Sequence, residues 1–484
     1  MNTPIDSLVI TCVIVFLSFC LGIYGSRRKQ ANLEEWAVGG RGFGLLFVYI
    51  LMAGETFTTF SVLGISGWVY SRGGPTLYAL TYLTLAQVII FFVAPAIWER
   101  GKRHGLQTLG DYFAQSYGSP LLTGAVALAS VAFLAVYLQL QLTGLGAIVE
   151  VASYGRVGRT PAIIVSGVVV AGFVSLSGVR GAVWVSFVKD FLLIAIAIAV
   201  GFGLPYAHFG GIGAMFSAVI KAKPQHLMLP GSTTTLTHTW FITTVLVNSL
   251  AFAWPHYFGS IFTAKSADTL RRNSLLLPLY VLPLALIIFA GCASILIVPA
   301  IKSGDLAMLT AVRQTFPSWA LGIIGGAGAL TALVPASVLI LSASTLVAKN
   351  LCQPLLGGSL KSETLARIAR SCVIAVTALA LLLALASSAS LVAILLFAYT
   401  GISQFAPGIV LTLLTKRATA PGVLCGLVCG LVTSGYLFFT DRDPFLGVSA
   451  GLIGLIANVA ALAAVSAVTR SPEGALSRSP EEPA

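Results

Sequence analysis

Charge is what this sequence has least of. Only 9% of its 484 residues are Asp, Glu, Lys or Arg, against 57% hydrophobic. A mean hydropathy of +0.94 is incompatible with a water-soluble globule of this length. The seven cysteines (Cys12, Cys20, Cys292, Cys352, Cys372, Cys425 and Cys429) show no CxxC or zinc spacing, and most sit within apolar runs. That excludes a disulfide framework and a thiolate metal centre. The five histidines (His104, His208, His226, His238 and His256) also lack ligand spacing, so a membrane metalloenzyme is without its ligands and no cofactor is expected. The first apolar run, Asp6 to Gly25, has no A-x-A-like site and follows almost no positive charge. It is expected to remain as a helix and not to be cleaved as a signal peptide.

What the chain does have is a succession of apolar stretches of about 20 residues, the length a helix needs to cross about 30 Å of hydrocarbon. The pattern predicts an all-α membrane protein with thirteen spans, near 7–25, 44–70, 76–98, 121–148, 160–177, 182–206, 239–260, 274–300, 319–347, 366–386, 390–413, 420–440 and 446–468. Residues 1–468 read as one transmembrane domain, and 469–484, polar and proline-containing, as a disordered tail. Nineteen lysines and arginines fall in one set of alternate loops and eight in the other, with Lys189 alone inside a span. The crowded side is cytoplasmic by the positive-inside rule, which puts the N-terminus outside and the C-terminus inside a plasma membrane, here a bacterial inner membrane. The +12 net charge is then spread through short inner loops facing lipid, and no basic face remains for nucleic acid.

Backbone that leaves the helix inside a bilayer must be buried in protein or line a cavity, so interrupted spans point to a binding site. The second span carries Gly54-Glu55-Thr56-Phe57-Thr58-Thr59 at its middle, and the seventh carries Asn248, Ser249 and Pro255. Glycine, a carboxylate, hydroxyls and proline all disfavour a continuous lipid-facing helix, although small and hydroxylated residues also serve simple packing. Glu55 tips the balance, because an ionisable group at mid-membrane depth is costly and usually lines a pathway. The two interrupted spans are five apart. If helices 2–6 (44–206) and 7–11 (239–413) are repeats, an odd number of spans forces them into opposite orientation.

Several stretches resemble the sodium/solute symporter family: Val38-Gly-Gly-Arg-Gly42, Phe60-Ser-Val-Leu-Gly64 with Gly67 and Tyr70, Gln107-Thr-Leu-Gly-Asp-Tyr112, Gly178-Val-Arg-Gly-Ala-Val-Trp184, Trp254-Pro-His-Tyr257 with Thr263-Ala-Lys-Ser266, and Pro407 through Lys416-Arg417-Ala-Thr419. The resemblance covers about residues 35 to 440 and implies a five-plus-five inverted-repeat transporter. It implies a sodium site at backbone carbonyls of Gly54 and Phe57, facing Thr331, Val334 and Pro335 on the ninth span. The two hydroxyls the family uses there are absent. Where the family carries Asp and, three residues on, Gln, this chain has Ser186 and Lys189, on one helix face. The Lys189 ammonium can supply the missing charge, making H+ the expected coupling ion in place of Na+, with Lys189, Asp190 and Glu55 as titrating groups. The alternative is a structural Lys189–Asp190 pair with the lysine snorkelling to the interface.

The substrate cavity is expected between the broken helices and two further spans, using Gly54, Glu55, Thr56, Thr58, Tyr137, Gln139, Gln141, Asn248, Trp254, Tyr399, Ser403 and Gln404. Donors around helix N-termini suit a carboxylate, and Ala53-Gly54-Glu55 with Val334-Pro335-Ala336-Ser337 is similar to the branch that imports short monocarboxylates. A sodium-coupled carrier of an amino acid or sugar and a transporter-like sensor with a separate partner are the alternatives. A channel would present a repeated filter or charge ring.

Overall fold

The computed structural model describes residues 4–26, 32–229, 235–298, 300–301, 303–358, 360–415 and 417–469. Residues 470–484 of the polar tail, and the basic residues at 27–29, 302 and 416, lie outside the described set. From the N-terminus come α1 (Pro4–Ser26), α2 (Leu33–Val38), α3 (Leu45–Thr56), α4 (Ile65–Arg72), α5 (Tyr78–His104), α6 (Leu109–Tyr117), α7 (Pro120–Ala152), α8 (Arg159–Phe209) and α9 (Ile212–Ala222). The second half holds α10 (His238–Asn248), α11 (Pro255–Thr263), α12 (Ala267–Leu276), α13 (Leu282–Ile297), α14 (Ala307–Thr315) and α15 (Ser318–Leu346). It ends with α16 (Gln353–Leu355), α17 (Ser362–Ala386), α18 (Leu391–Ile402), α19 (Ala406–Leu414), α20 (Ala420–Phe439) and α21 (Ala450–Val468). Among the described residues there is no strand, only isolated bridges such as Phe43 with Ala264.

The span count differs from the thirteen expected. Ten helices are long and apolar enough to cross a membrane, or eleven when α3 and α4, bent by 53°, are taken as one broken span. Two causes account for the difference. The stretches 160–177 and 182–206 count once because both fall in α8, whose 51 residues would reach about 75 Å if straight. The chain breaks at Gly178, in the gap expected between those two stretches, where φ is +54° and a side chain would collide with the Trp36 carbonyl at 2.8 Å. The seventh stretch, 239–260, divides into α10 and α11, each too short to cross alone.

Burial sorts the helices. In α15, 94% of the apolar window is buried, against 17% for α1, so α15 is the central post and α1 a lipid-facing outer helix. Their contact runs along a glycine groove: Cβ atoms at Gly322 and Gly326 would strike Ser7 and Ile14 of α1 at 2.8 and 2.7 Å, and Thr11 Oγ1 donates to the Gly322 carbonyl at 3.0 Å. Small residues of this kind let helices approach without a hydrophobic driving force between them.

Specific contacts tie both ends of the core. On the side reached by α4, Gly67 has no room for a Cβ, which would lie 2.7 Å from the backbone nitrogen of Asp305. The Asp305 carboxylate in turn accepts the Leu391 N–H at 3.1 Å, tying this loop to the start of α18. Burial pushes the Asp305 carboxyl up to about 6, against the opposing pull of that N–H and of Arg159. At the other end, Lys349 bridges Asp111 at 2.8 Å and the Gln107 amide oxygen at 3.1 Å. Asn350 donates to Asp111 at 3.0 Å, and Asp111 also closes a capping box with Thr108 at the start of α6.

Candidate functional site

The first break is a consequence of Gly54-Glu55-Thr56-Phe57. At Phe57 the backbone turns to an extended conformation, and the chain resumes through a single π-type turn at Phe60–Gly64. An α-helix end leaves carbonyls without partners, and the start of the next segment leaves N–H groups without partners. Here side chains meet both sets. On the carbonyl side, Lys189 Nζ donates to Gly54 O at 3.0 Å and Phe57 O at 3.1 Å and pairs with Asp190 Oδ1 at 2.9 Å. On the amide side, Thr59 donates its N–H and hydroxyl to Gln141 Oε1 at 3.4 and 2.9 Å, and the Phe60 N–H reaches Thr58 Oγ1 at 3.2 Å.

The surroundings of the ammonium are tightly packed. Lys189 is fully buried (0% exposed). A Cβ at Gly54 would meet Ser186 Oγ at 2.6 Å and Val334 at 3.4 Å, so α3, α8 and α15 converge here. Ser186 and Thr331 bond their own helices, to Ala182 O at 2.8 Å and Gly328 O at 2.6 Å. Pro335 lies inside α15 and has no N–H, which frees the carbonyl of Thr331, four residues back, from its helical bond. The Tyr280 hydroxyl stands beside Asp190, and the Tyr280 ring meets Phe57 edge-on with centroids 4.3 Å apart.

The second break, Ser249 to Trp254, is built differently. A short 3-10 turn at Ala251–Ala253 leads to Trp254, and α11 begins at Pro255 without a side-chain cap. The N–H groups of His256 and Tyr257 therefore stand at the helix start with no intrahelical acceptor. Both residues line a cavity of about 40 Å³ that is also bounded by the first break and by α5, α7 and α18. At about 10–15 Å³ for each water-sized group, it admits a solute of only a few heavy atoms. No lysine or arginine lines it.

Of the twelve residues expected around the substrate, Glu55, Thr56, Tyr137, Trp254 and Tyr399 line this cavity. Trp254 packs at a tilt against Tyr137, with centroids 4.8 Å apart, and meets Tyr399 edge-on at 5.3 Å. The rest are elsewhere. Gly54 serves Lys189 through its carbonyl. Thr58 and Gln141 brace the first break. Gln404 donates to Thr400 O and Gly451 O and receives Asn458, so it faces the C-terminal helix pair and not the cavity. Asn248 is buried at the end of α10 and does not line the cavity.

Sequence reasoning missed Phe60, Tyr82, Gln87, His256 and Tyr257, all of which line the cavity. Gln87, a lone amide in the apolar stretch of α5, was the available signal. Glu55 accepts a hydrogen bond from the Ser260 hydroxyl through Oε1, while its Oε2 and His256 Nδ1 are buried without partners. His256 and Ser260 also line a second cavity, of about 20 Å³, that reaches Gln107 and Thr108. His256 lines both cavities. Among the described residues no group of His, Cys, Asp or Glu is arranged to hold a metal ion.

The family model described as the sodium:solute symporter family matches residues 36–430. The chain is 38% identical to an uncharacterized symporter of Bacillus subtilis (strain 168), YhjB, over 97% of this chain and 98% of that protein. It is 29% identical to a monocarboxylate transport permease protein of Rhizobium johnstonii, over 95% of this chain and 96% of that one. A Na+-coupled sialic acid symporter, solved substrate-bound and outward-open, has the same fold: TM-score 0.79 at 15% identity, covering 96% of this chain and 97% of that one.

Proposed function

Because the chain belongs to the sodium:solute symporter family, we propose that it imports a short monocarboxylate or related organic acid across the plasma membrane by alternating access, coupled to protons and not to sodium. The observation that carries the coupling is the Lys189 ammonium on the Gly54 and Phe57 carbonyls, the oxygens at which the family resemblance would put a sodium ion. A second cation there would meet an ammonium at contact distance, and α15 offers it Val334 and Pro335 in place of hydroxyls. Lys189, Asp190 and Glu55 are the candidate proton carriers, and the units 44–206 and 239–413, as inverted repeats, move about them.

The substrate class rests on the second break. Uncapped amides at a helix start favour an anion, tyrosine hydroxyls and the Gln87 amide are neutral hydrogen-bonding partners for it, and the cavity is small. The monocarboxylate permease relative points the same way. The test is uptake of labelled lactate and pyruvate in proteoliposomes with potassium as the only alkali cation. Transport is expected to persist there and to collapse with a protonophore; a strict sodium requirement would sink the proposal. The competing reading, a sodium-coupled symporter of another solute, has in its favour the family's name and the fold shared with a Na+-coupled sialic acid symporter.

A further inference from the structure

We infer that Glu55 carries the co-transported proton, bound face to face with the substrate carboxylate, while Lys189 is a fixed ammonium that keeps its proton through the cycle; this rests on the proton-coupled carboxylate reading above. The two groups differ in what is left free on each. A lysine ammonium has three N–H donors, and Lys189 places them on Gly54 O, Phe57 O and Asp190 Oδ1. It is fully buried and does not line the cavity. Losing a proton there would leave two carbonyls and a carboxylate buried without their donor. Glu55 has one oxygen engaged by Ser260 and the other without a partner, and its side chain lines the cavity.

A carboxylate entering the same 40 Å³ brings a second negative charge next to Glu55, in a space to which no lysine or arginine contributes. In a medium of low dielectric two like charges at that range exclude each other. With a proton on Glu55, the free oxygen becomes an O–H donor to the incoming carboxylate, and the pair shares one proton and one negative charge. Each ligand then raises the affinity for the other, as linkage requires. The balance is simple: one proton and one carboxylate enter from outside, both leave inside, and no net charge crosses. The titratable groups facing Glu55 are Lys189 of α8, Tyr137 of α7, and His256 and Tyr257 of α11. Tyr82 of α5 and Tyr399 of α18 share the cavity, and α15 contains no titratable residue. Among the neutral and acidic groups of the cavity, Glu55 alone is a carboxyl. His256 lines this cavity and the second one.

The experiment is substrate-evoked proton movement. Purified full-length protein in proteoliposomes, without an imposed gradient, is given L-lactate, and external pH is followed with an impermeant dye. Wild type is expected to alkalinise the exterior in step with lactate uptake. In Glu55→Gln the evoked proton signal should fall at least tenfold, and the uptake that remains should lose its dependence on pH. Ser260→Ala, which strips Glu55 of its donor, should keep the proton signal but move the midpoint of the pH profile. Full proton movement in a folded Glu55→Gln protein overturns the inference and leaves proton coupling standing. Lactate uptake by wild type with no proton signal overturns both. Should Glu55→Gln fail to fold, an unchanged midpoint in Ser260→Ala overturns the Glu55 assignment.

Discussion

The two broken helices solve the same problem in opposite ways. At the first, the protein supplies partners to both sides: the carbonyls of Gly54 and Phe57 take Lys189, and the amide side takes Gln141 and Thr58. At the second, the start of α11 has no side-chain cap and borders the cavity. A saturated break is a fixed joint, and an unsaturated one is a binding surface. The difference teaches that breaking a helix in a membrane does not by itself create a site; what matters is which orphaned groups the rest of the chain leaves unanswered.

The sharpest way to break this comparison is Lys189→Met. It leaves Asp190 as an unpaired buried charge and two carbonyls bare, so a loss of about 3–5 kcal/mol in stability is expected, together with loss of uptake, read from thermal unfolding in detergent and from lactate transport. Gln141→Ala attacks the other side of the same joint. The Thr59 hydroxyl loses its acceptor, at a cost of about 1–3 kcal/mol, and because Gln141 does not line the cavity the maximal uptake rate should fall while KM is kept.

Pro255→Ala sharpens the second break. It supplies an N–H where none exists and favours a continuous helix, so KM for lactate should rise about tenfold, or about 1.4 kcal/mol, with little change in melting temperature. An equal loss of rate and affinity in both Gln141→Ala and Pro255→Ala would erase the distinction drawn here.

The smallest effect belongs to Asp305→Asn, at a residue that does not line the cavity. The Asp305 carboxyl is held at about 6, above its ordinary 3.8, so it binds its proton more tightly in the folded chain than when exposed. Its contribution to stability is therefore whole below about pH 4 and is lost as pH rises through about 6. Melting curves at pH 4.5 and 7 should show that slope in wild type and its absence in Asp305→Asn, with uptake at pH 7 changed by less than about twofold.

The sequence made the first break legible because glycine, glutamate and threonines interrupt an apolar run, and Lys189 legible because it is a lone ammonium inside a span. Which face a residue occupies was far less readable. Helices such as α7, α8 and α15 are apolar nearly all round, so no polar side marks the direction of the cavity. Gln404 and Gln87 are both single amides in apolar stretches. One is consumed by packing against Asn458, the other lines the cavity, and only the fold separates them. The break inside α8 was legible as well, since Gly178, Arg180 and Gly181 fall between the expected spans 160–177 and 182–206; what the sequence could not show was its partner, the Trp36 carbonyl, more than a hundred residues earlier.

Asp111 is held in place by its own helix before Lys349 ever arrives. Thr108 and Gln107 donate their N–H groups to it at 3.2 and 2.8 Å, so the socket stays shaped whether or not the lysine occupies it. Swinging the Lys349–Asn350 segment that follows α15 aside would forfeit the ion pair and the hydrogen bonds to Gln107 and from Asn350 without unravelling α6. A fastener that keeps its form when undone can be refastened on every turnover with no search for geometry.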